Sequence, residues 1–308
     1  MVDVYLWLYH IDLWPEFYDL LSPIKNRIVL HLGLCEETSL ASNIETDVKN
    51  NFPSFQINYH KNVGGDILPF LSDFANNMNK QSFFIKIHSK KSKLMSKIEW
   101  RHVLLHSLLG NGGKNFDYNY TYMTKYNKIG LISHANLLLN NKEFLNFSKI
   151  NEILQYYEWP KPPINKRKFA AGTMFMARSD LYHKFINTQS LSYLKPRLET
   201  EKGYVIDYKE GKYCHSIERI FGYISQYNGY KIASTKYPNI RIINTKSTTK
   251  KLHLSMAYDN FVFLEEDLSV HGRLLQRDAN SFTIEWHHLS ESTIRNYKKL
   301  NNRSYIGH

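Results

Sequence analysis

SFFIKIHSKKS, residues 82–92, decides the fold. The first seven residues are a short apolar run in which Phe83, Ile85 and Ile87 alternate with Phe84, Lys86 and His88, the period of a strand. The run ends in the polar, basic residues Ser89, Lys90 and Lys91, which read as a loop at the carboxyl end of that strand. IEWRHVLLHSLLG (98–110) follows with helical apolar spacing and a terminal glycine. Strand, loop and helix therefore succeed one another within thirty residues.

The same unit recurs on the amino-terminal side. DVYLWLY (3–9) and RIVLHLGL (27–34) read as strands, with an amphipathic stretch WPEFYDLLSPI (14–24) between them. FQINYH (55–60) is a third strand, followed by the turn NVGGD (62–66) and the helical ILPFLSDFANNM (67–78). Strands separated by helix-length connections must run parallel, because a parallel neighbour cannot be reached through a tight turn. The fold class is thus α/β: a Rossmann-like domain with a mainly parallel sheet. Such sheets bind ligands beyond the carboxyl ends of their strands, here the loops after residues 9, 34, 60 and 88.

Beyond residue 110 the pattern loosens. KIGLISH (128–134) is a strand candidate, EWPKPPINKRKF (158–169) a proline-rich basic connection, FAAGTMFMAR (169–178) an apolar strand with an internal glycine, and HSIERIFGYISQY (215–227) an amphipathic helix. After about residue 235 only short strand-like pieces remain, among them GRLLQR and SFTIEWHHL joined by DANS as a hairpin. The expected organisation is a domain over 1–235 and a small carboxyl-terminal appendage over 236–308.

Composition narrows the function. With 308 residues, 43% of them hydrophobic, the chain can bury a full core. A formal net charge of +12 points to anionic partners. The cations are dispersed and match no nucleic-acid motif, so no nucleic-acid partner is expected. Two cysteines, Cys35 and Cys214, lack metal or redox spacing. His102 and His106 have an i, i+4 spacing but no accompanying carboxylate, and no metal site is expected there. No window is long and apolar enough to span a membrane, and the first residues lack the basic start of a signal peptide. These features predict a cytoplasmic protein, acting at the inner face of the membrane if it meets one.

Four places carry candidate chemistry. At the carboxyl end of the fourth strand, Lys86, His88, Ser89, Lys90 and Lys91 offer cations and a hydroxyl that would stabilise a diphosphate leaving group as its charge grows. His10 is the first residue beyond the first strand, on the same predicted edge. In the turn at 62–66, Asn62, Gly64 and Gly65 allow close backbone approach to a ligand, while Asp66 also suits a helix N-cap. Gly172 and Thr173 interrupt an apolar run where a sugar would pack. Glu218, near a helix start, is placed to act as a general base, sharing a helix face with His215 while Arg219 points elsewhere.

In order along the chain, NVGGDILPFL (62–71), FIKIHSKKS (84–92), WRHVLLHSLLG (100–110), AAGTMFMAR (170–178) and SIERIFGY (216–223) resemble the rhamnan synthesis protein F family of bacterial cell-surface polysaccharide assembly. Gly65, Ser89 and Met176 depart from the Arg, Thr and Trp usual in that pattern. The resemblance implies a GT-A-like glycosyltransferase. It would move rhamnose or another hexose from a nucleotide-diphosphate donor to a growing polysaccharide, glycolipid or other lipid-linked saccharide acceptor, with peripheral membrane contact. GT-A enzymes usually end the strand equivalent to 83–88 in Asp-x-Asp, which holds a divalent metal; here that place is basic. The expectation is therefore that Lys86, His88, Lys90 and Lys91 replace the metal and that no cofactor is needed, bound Mg or Mn being the alternative. A non-catalytic subunit that binds sugar nucleotide or glycan is the competing reading.

Overall fold

The computed structural model describes residues 1–38, 41–77, 79–91, 100–134, 137–141, 146–201 and 212–235, together with six backbone strands between 240 and 286. The chain divides into two units. One comprises residues 1–91 and 104–235; the other comprises 92–103 and 236–308.

In the first unit, β1 (Val2–Leu8) is buried at every position, as its unbroken apolar run requires of a strand covered on both faces. It pairs in parallel with β2 (Ile28–Cys35) on one side and β4 (Phe83–His88) on the other, and β2 pairs in parallel with β3 (Phe55–His60). The carboxyl ends of these four strands therefore share one edge, as the alternation of strands and helices predicts. The sheet continues through β8 (Phe175–Arg178), antiparallel to both neighbours, to β5 (Ile129–Ser133) and then β9 (Lys231–Ser234). Among the described residues the full order is β3-β2-β1-β4-β8-β5-β9.

Helices cover both faces. Register sets Tyr5 opposite Lys86 and Trp7 opposite His88, so Phe84, Lys86 and His88 lie on the face that carries Tyr5. That face meets α3 (Ile67–Asn76), α8 (Thr188–Glu199) and α9 (Tyr213–Tyr227) in an aromatic core built on Phe70, Phe74, Phe84, Phe175, Tyr182 and Phe221. Ring centroids there stand about 5 to 6 Å apart, mostly edge to face or tilted, as the aromatic quadrupole favours. Phe83 points to the opposite face and meets Tyr120 of α5 (Lys114–Lys125).

The structure corrects several expectations. FAAGTMFMAR is two strands rather than one: β7 (Lys168–Ala170) pairs with β6 (Leu138–Asn140) in a separate ribbon, and β8 joins the main sheet. Between them Gly172 and Thr173 both take positive φ, +82° and +52°, which reverses the chain. α9 passes directly over β7. A Cβ on Gly222 would lie 2.1 Å from the carbonyl oxygen of Lys168, so the helix approaches the ribbon only because that residue is glycine. α5, α8, α6 (Phe147–Tyr156) and α2 (Ala41–Asn51) have no counterpart in the sequence reading. α2 and α8 are polar on average, and α8 has a proline at position 196, so their apolar faces give weak periodicity.

In the second unit, β14 (Val270–Arg277) and β15 (Phe282–Trp286) form the expected antiparallel pair. They belong to a six-stranded sheet with β10 (Ile240–Asn244), β11 (Lys251–Leu254), β12 (Met256–Tyr258) and β13 (Phe261–Phe263), in the order β11-β10-β15-β14-β13-β12. The predicted DANS connection at 278–281, the helix start at Ile98 and Glu99, Met78, Ser92 and the side chain of His102 lie outside the described residues.

Candidate active site

The carboxyl edge of β1 and β4 is where the expected residues meet. Asp66 occupies the N-cap position of α3, yet its carboxylate makes no capping hydrogen bond. It turns instead to the sheet, where it accepts from the Lys86 ammonium and the Thr173 hydroxyl and lies 3.4 Å from Nδ1 of His88. The cap expected from sequence is thereby replaced by an ion cluster. The physical reason is burial: Lys86 is 1% exposed, and a buried ammonium needs a counter-charge far more than a helix start needs one cap.

Burial pushes the Lys86 amine down from its usual range, and Asp66 opposes that shift. Burial also opposes ionisation of Asp66, but His88, Lys86 and the hydrogen bonds from Lys86 and Thr173 outweigh it and hold the carboxyl well below its usual range. Lys86 Nζ donates as well to the Thr173 carbonyl, at 3.2 Å. Asp66 and Lys86 thus grip both the hydroxyl and the carbonyl of a residue in left-handed conformation.

The other side of the same turn is held by Glu218. Its Oε1 accepts the Gly172 amide at 2.7 Å, and Oε2 lies 3.4 Å from Nη1 of Arg219. Arg219 does not point away, as adjacency on a helix suggested: its long stem lets the guanidinium fold back, where it donates to the His215 carbonyl at 2.8 Å and lies over the Phe169 ring. Glu218 and Lys90 both lie within electrostatic reach of Lys86. Asp66, Lys86, His88, Lys90, Gly172, Thr173 and Glu218 therefore form one constellation drawn from four separated segments.

The remaining expected residues divide. Ser89 sits at the mouth of β4, its hydroxyl accepting the backbone N–H of His10 at 2.8 Å and its own N–H donating to the Trp7 carbonyl, so β1 and β4 are tied at their ends. Lys91 pairs with exposed Asp12 at 2.5 Å. Gly64 and Gly65 take φ of +66° and +58°, and the Gly64 N–H donates to the Glu201 carbonyl. A Cβ on Gly64 would stand 2.7 Å from Cβ of Leu68, so that glycine serves the turn; one on Gly65 would meet only Cys214 Sγ, at 3.8 Å. Asn62 is half-buried on the same turn. Lys86 is paired with Asp66 and Lys91 with Asp12, and Lys90 is half-buried on the same loop.

Sequence reading missed Glu201. Its carboxylate accepts the N–H groups of Tyr213 and Cys214, capping α9 at 2.6 and 3.0 Å and fixing the turn of helix that carries Glu218. Twelve residues separate it from Tyr213, and no local pattern marks such a cap.

The donors around Asp66 are an ammonium, an imidazole and a hydroxyl, a set unsuited to a hard divalent cation, which takes oxygen ligands. Among the described residues no group of three or more His, Cys, Asp or Glu side chains is arranged to hold a metal ion. Nor, among them, is any helix long and apolar enough to cross a membrane.

No curated protein matches the chain. Among solved structures it is similar to mouse xyloside xylosyltransferase 1 in its apo form, with a TM-score of 0.32 and 9% identity over 80% of this chain and 89% of that one. The family model described as rhamnan synthesis protein F matches residues 1–230, three quarters of the sequence and the whole of the constellation above. The chain belongs to the rhamnan synthesis protein F family.

Proposed function

We propose that the protein is a GT-A-type glycosyltransferase that moves a hexosyl group, rhamnose or a related hexose, from a nucleoside-diphosphate donor to a saccharide or lipid-linked saccharide acceptor. The family supports a glycosyltransferase-like role. The observation that carries the finer reading is the pairing, at one sheet edge, of a held carboxylate with cations and a hydroxyl suited to a diphosphate.

In this reading Lys90, His88 and the Ser89 hydroxyl face the diphosphate, whose charge grows as its bond to the sugar anomeric carbon breaks. Glu218 takes the proton of the attacking acceptor hydroxyl through Oε2, while Oε1 stays fixed on the Gly172 amide. Lys86 and Asp66 hold the Gly172–Thr173 turn that shapes the sugar pocket, and so act as positioning residues. The charge at the end of β4 is basic where related enzymes place carboxylates, which supports transfer without a divalent metal. The enzyme would work in the cytoplasm at the inner face of the membrane, with no nucleic-acid partner.

Glu218→Gln keeps the shape and the Gly172 hydrogen bond but cannot accept a proton. We expect turnover to fall by roughly 10²–10⁴-fold with donor affinity nearly unchanged, read by product formation and by donor-induced thermal shift. Near-normal turnover would remove Glu218 from the role of base. Activity lost to a chelator and restored by manganese would sink the metal-free reading.

The commitment of Glu218 to Gly172 and Arg219 favours one second reading, a subunit that binds sugar nucleotide or glycan without turning it over. Release of free nucleoside diphosphate from the donor in the absence of acceptor separates the two, because a binding subunit releases none.

A further inference from the structure

A different part of the first unit carries an exposed surface that the site does not use. Tyr118, Tyr122 and Tyr126 recur every fourth residue along α5 and its carboxyl-terminal cap, so they stand in one row. Tyr118 and Tyr126 are 38% and 46% exposed. Neighbouring ring centroids are 5.8 and 4.6 Å apart, which makes the row a continuous aromatic ridge.

The ridge ends at the amino-terminal edge of the sheet. There the Lys231 N–H donates to the Lys128 carbonyl, joining the loop that enters β5 to the loop that enters β9. Lys125 lies over the Tyr126 ring and Lys128 over the Tyr230 ring, both cations exposed. Among the described residues no carboxylate pairs with Lys125, Lys128 or Lys231, and the nearby acid Asp117 is already bridged by Arg27. The surface therefore combines amphipathic rings with uncompensated positive charge, on the edge opposite the carboxyl ends of β1 and β4.

Tyrosine rings seat at the level of lipid headgroups, with the ring body against acyl chains and the hydroxyl in water, and lysines beside them meet anionic phosphates. A soluble polyanion would use the lysines and leave the tyrosines idle. We infer that this aromatic and basic rim, Tyr118, Tyr122, Tyr126 and Tyr230 with Lys125 and Lys128, docks the protein on an anionic lipid surface. The candidate site then faces away from the bilayer.

The test is co-sedimentation of the full chain with vesicles of phosphatidylcholine alone or with added phosphatidylglycerol. Binding is expected only to the anionic vesicles and to weaken with salt. Lys125→Glu with Lys128→Glu should lower partition by roughly tenfold or more. The charge-matched control Lys166→Glu with Lys184→Glu should lower it far less. Tyr122→Ser with Tyr126→Ser should also weaken binding, without any change of charge. Circular dichroism and thermal melting of each variant would show that it folds. Equal binding to neutral vesicles, equal loss in the control pair, or an unaffected tyrosine pair in a folded variant would each overturn the proposal; the last outcome would mark the surface as a site for a soluble polyanion.

Discussion

Two carboxylates in this molecule are built into clusters of nearly the same chemistry and opposite setting. Asp66 is held by a lysine, a histidine and a threonine hydroxyl. Glu152 on α6 is held by Arg197 at 2.9 Å, by the Tyr213 hydroxyl at 2.8 Å and by Lys149 at 3.5 Å. Lys86 is 1% exposed at its side chain and Asp66 24%, whereas Lys149, Glu152 and Arg197 are each about one third exposed, at 33%, 35% and 35%. Around Glu152 the cations also rest on rings, Arg197 on Tyr193, which stacks in turn on Tyr156 at 3.7 Å. Similar partners thus serve two ends. In the exposed cluster water can replace any lost partner, so it pins α6, α8 and α9 at little risk. At the Lys86 end of the other, water cannot take the place of Asp66, so the cluster fixes a single arrangement of the turn at Gly172 and Thr173.

The sharpest way to break this contrast is Asp66→Asn. It leaves the Lys86 ammonium buried without its counter-charge, and we expect a loss of about 3–5 kcal/mol in denaturant unfolding. A loss below about 1 kcal/mol would mean that water reaches Lys86 and that the two clusters are alike. The next largest effect is a recovery. Adding Lys86→Met to Asp66→Asn removes the orphaned charge, and roughly 2–4 kcal/mol should return, since an apolar replacement of a buried ion pair is often neutral. If the folded double variant also keeps donor binding, Lys86 positions the turn and does not bind diphosphate.

Thr173→Val comes third, at about 1.5–3 kcal/mol, because it deletes a hydrogen bond to an ionised acceptor without altering the side-chain shape. Glu152→Gln is the smallest, at no more than about 1 kcal/mol, as for other exposed ion pairs. Acid titration separates the clusters by sign and window. Both carboxyls are depressed in the folded state, so the stability each contributes is present above its ordinary value and is lost as the pH falls through the folded value. For Glu152, held down to about 2 against desolvation by hydrogen bonds from Arg197 and Tyr213, the loss runs from near pH 4.5 to near pH 2. For Asp66 it begins near pH 4, and the slope of stability with pH should flatten below that point in Asp66→Asn. An unchanged slope in that variant would show that Asp66 is not the depressed group.

The strands β1, β2 and β4 were legible in the sequence because each is buried on both faces, and burial writes itself as a short, mostly apolar run, whereas β3 is a half-exposed edge strand that shows only as alternation in FQINYH. Alternation within 82–88 likewise put Lys86 and His88 on one face before any contact was known. The order β4-β8-β5, with β8 reversed, was not legible, since nothing local in FAAGTMFMAR tells whether an apolar run with a glycine continues or turns back. The same holds for Arg219, whose reach depends on a flexible stem rather than on its position along α9.

What the sequence determined by itself was the α/β class, the edge where ligand chemistry gathers, and most of the residue types found there, because periodicity and charge are local properties. What only the tertiary structure decided was which charges remain to meet a ligand. Asp66 and Lys86 are twenty residues apart, and Asp66 and Thr173 more than a hundred. Their mutual neutralisation follows from desolvation when β4 and α3 pack together, and no spacing in the chain encodes it.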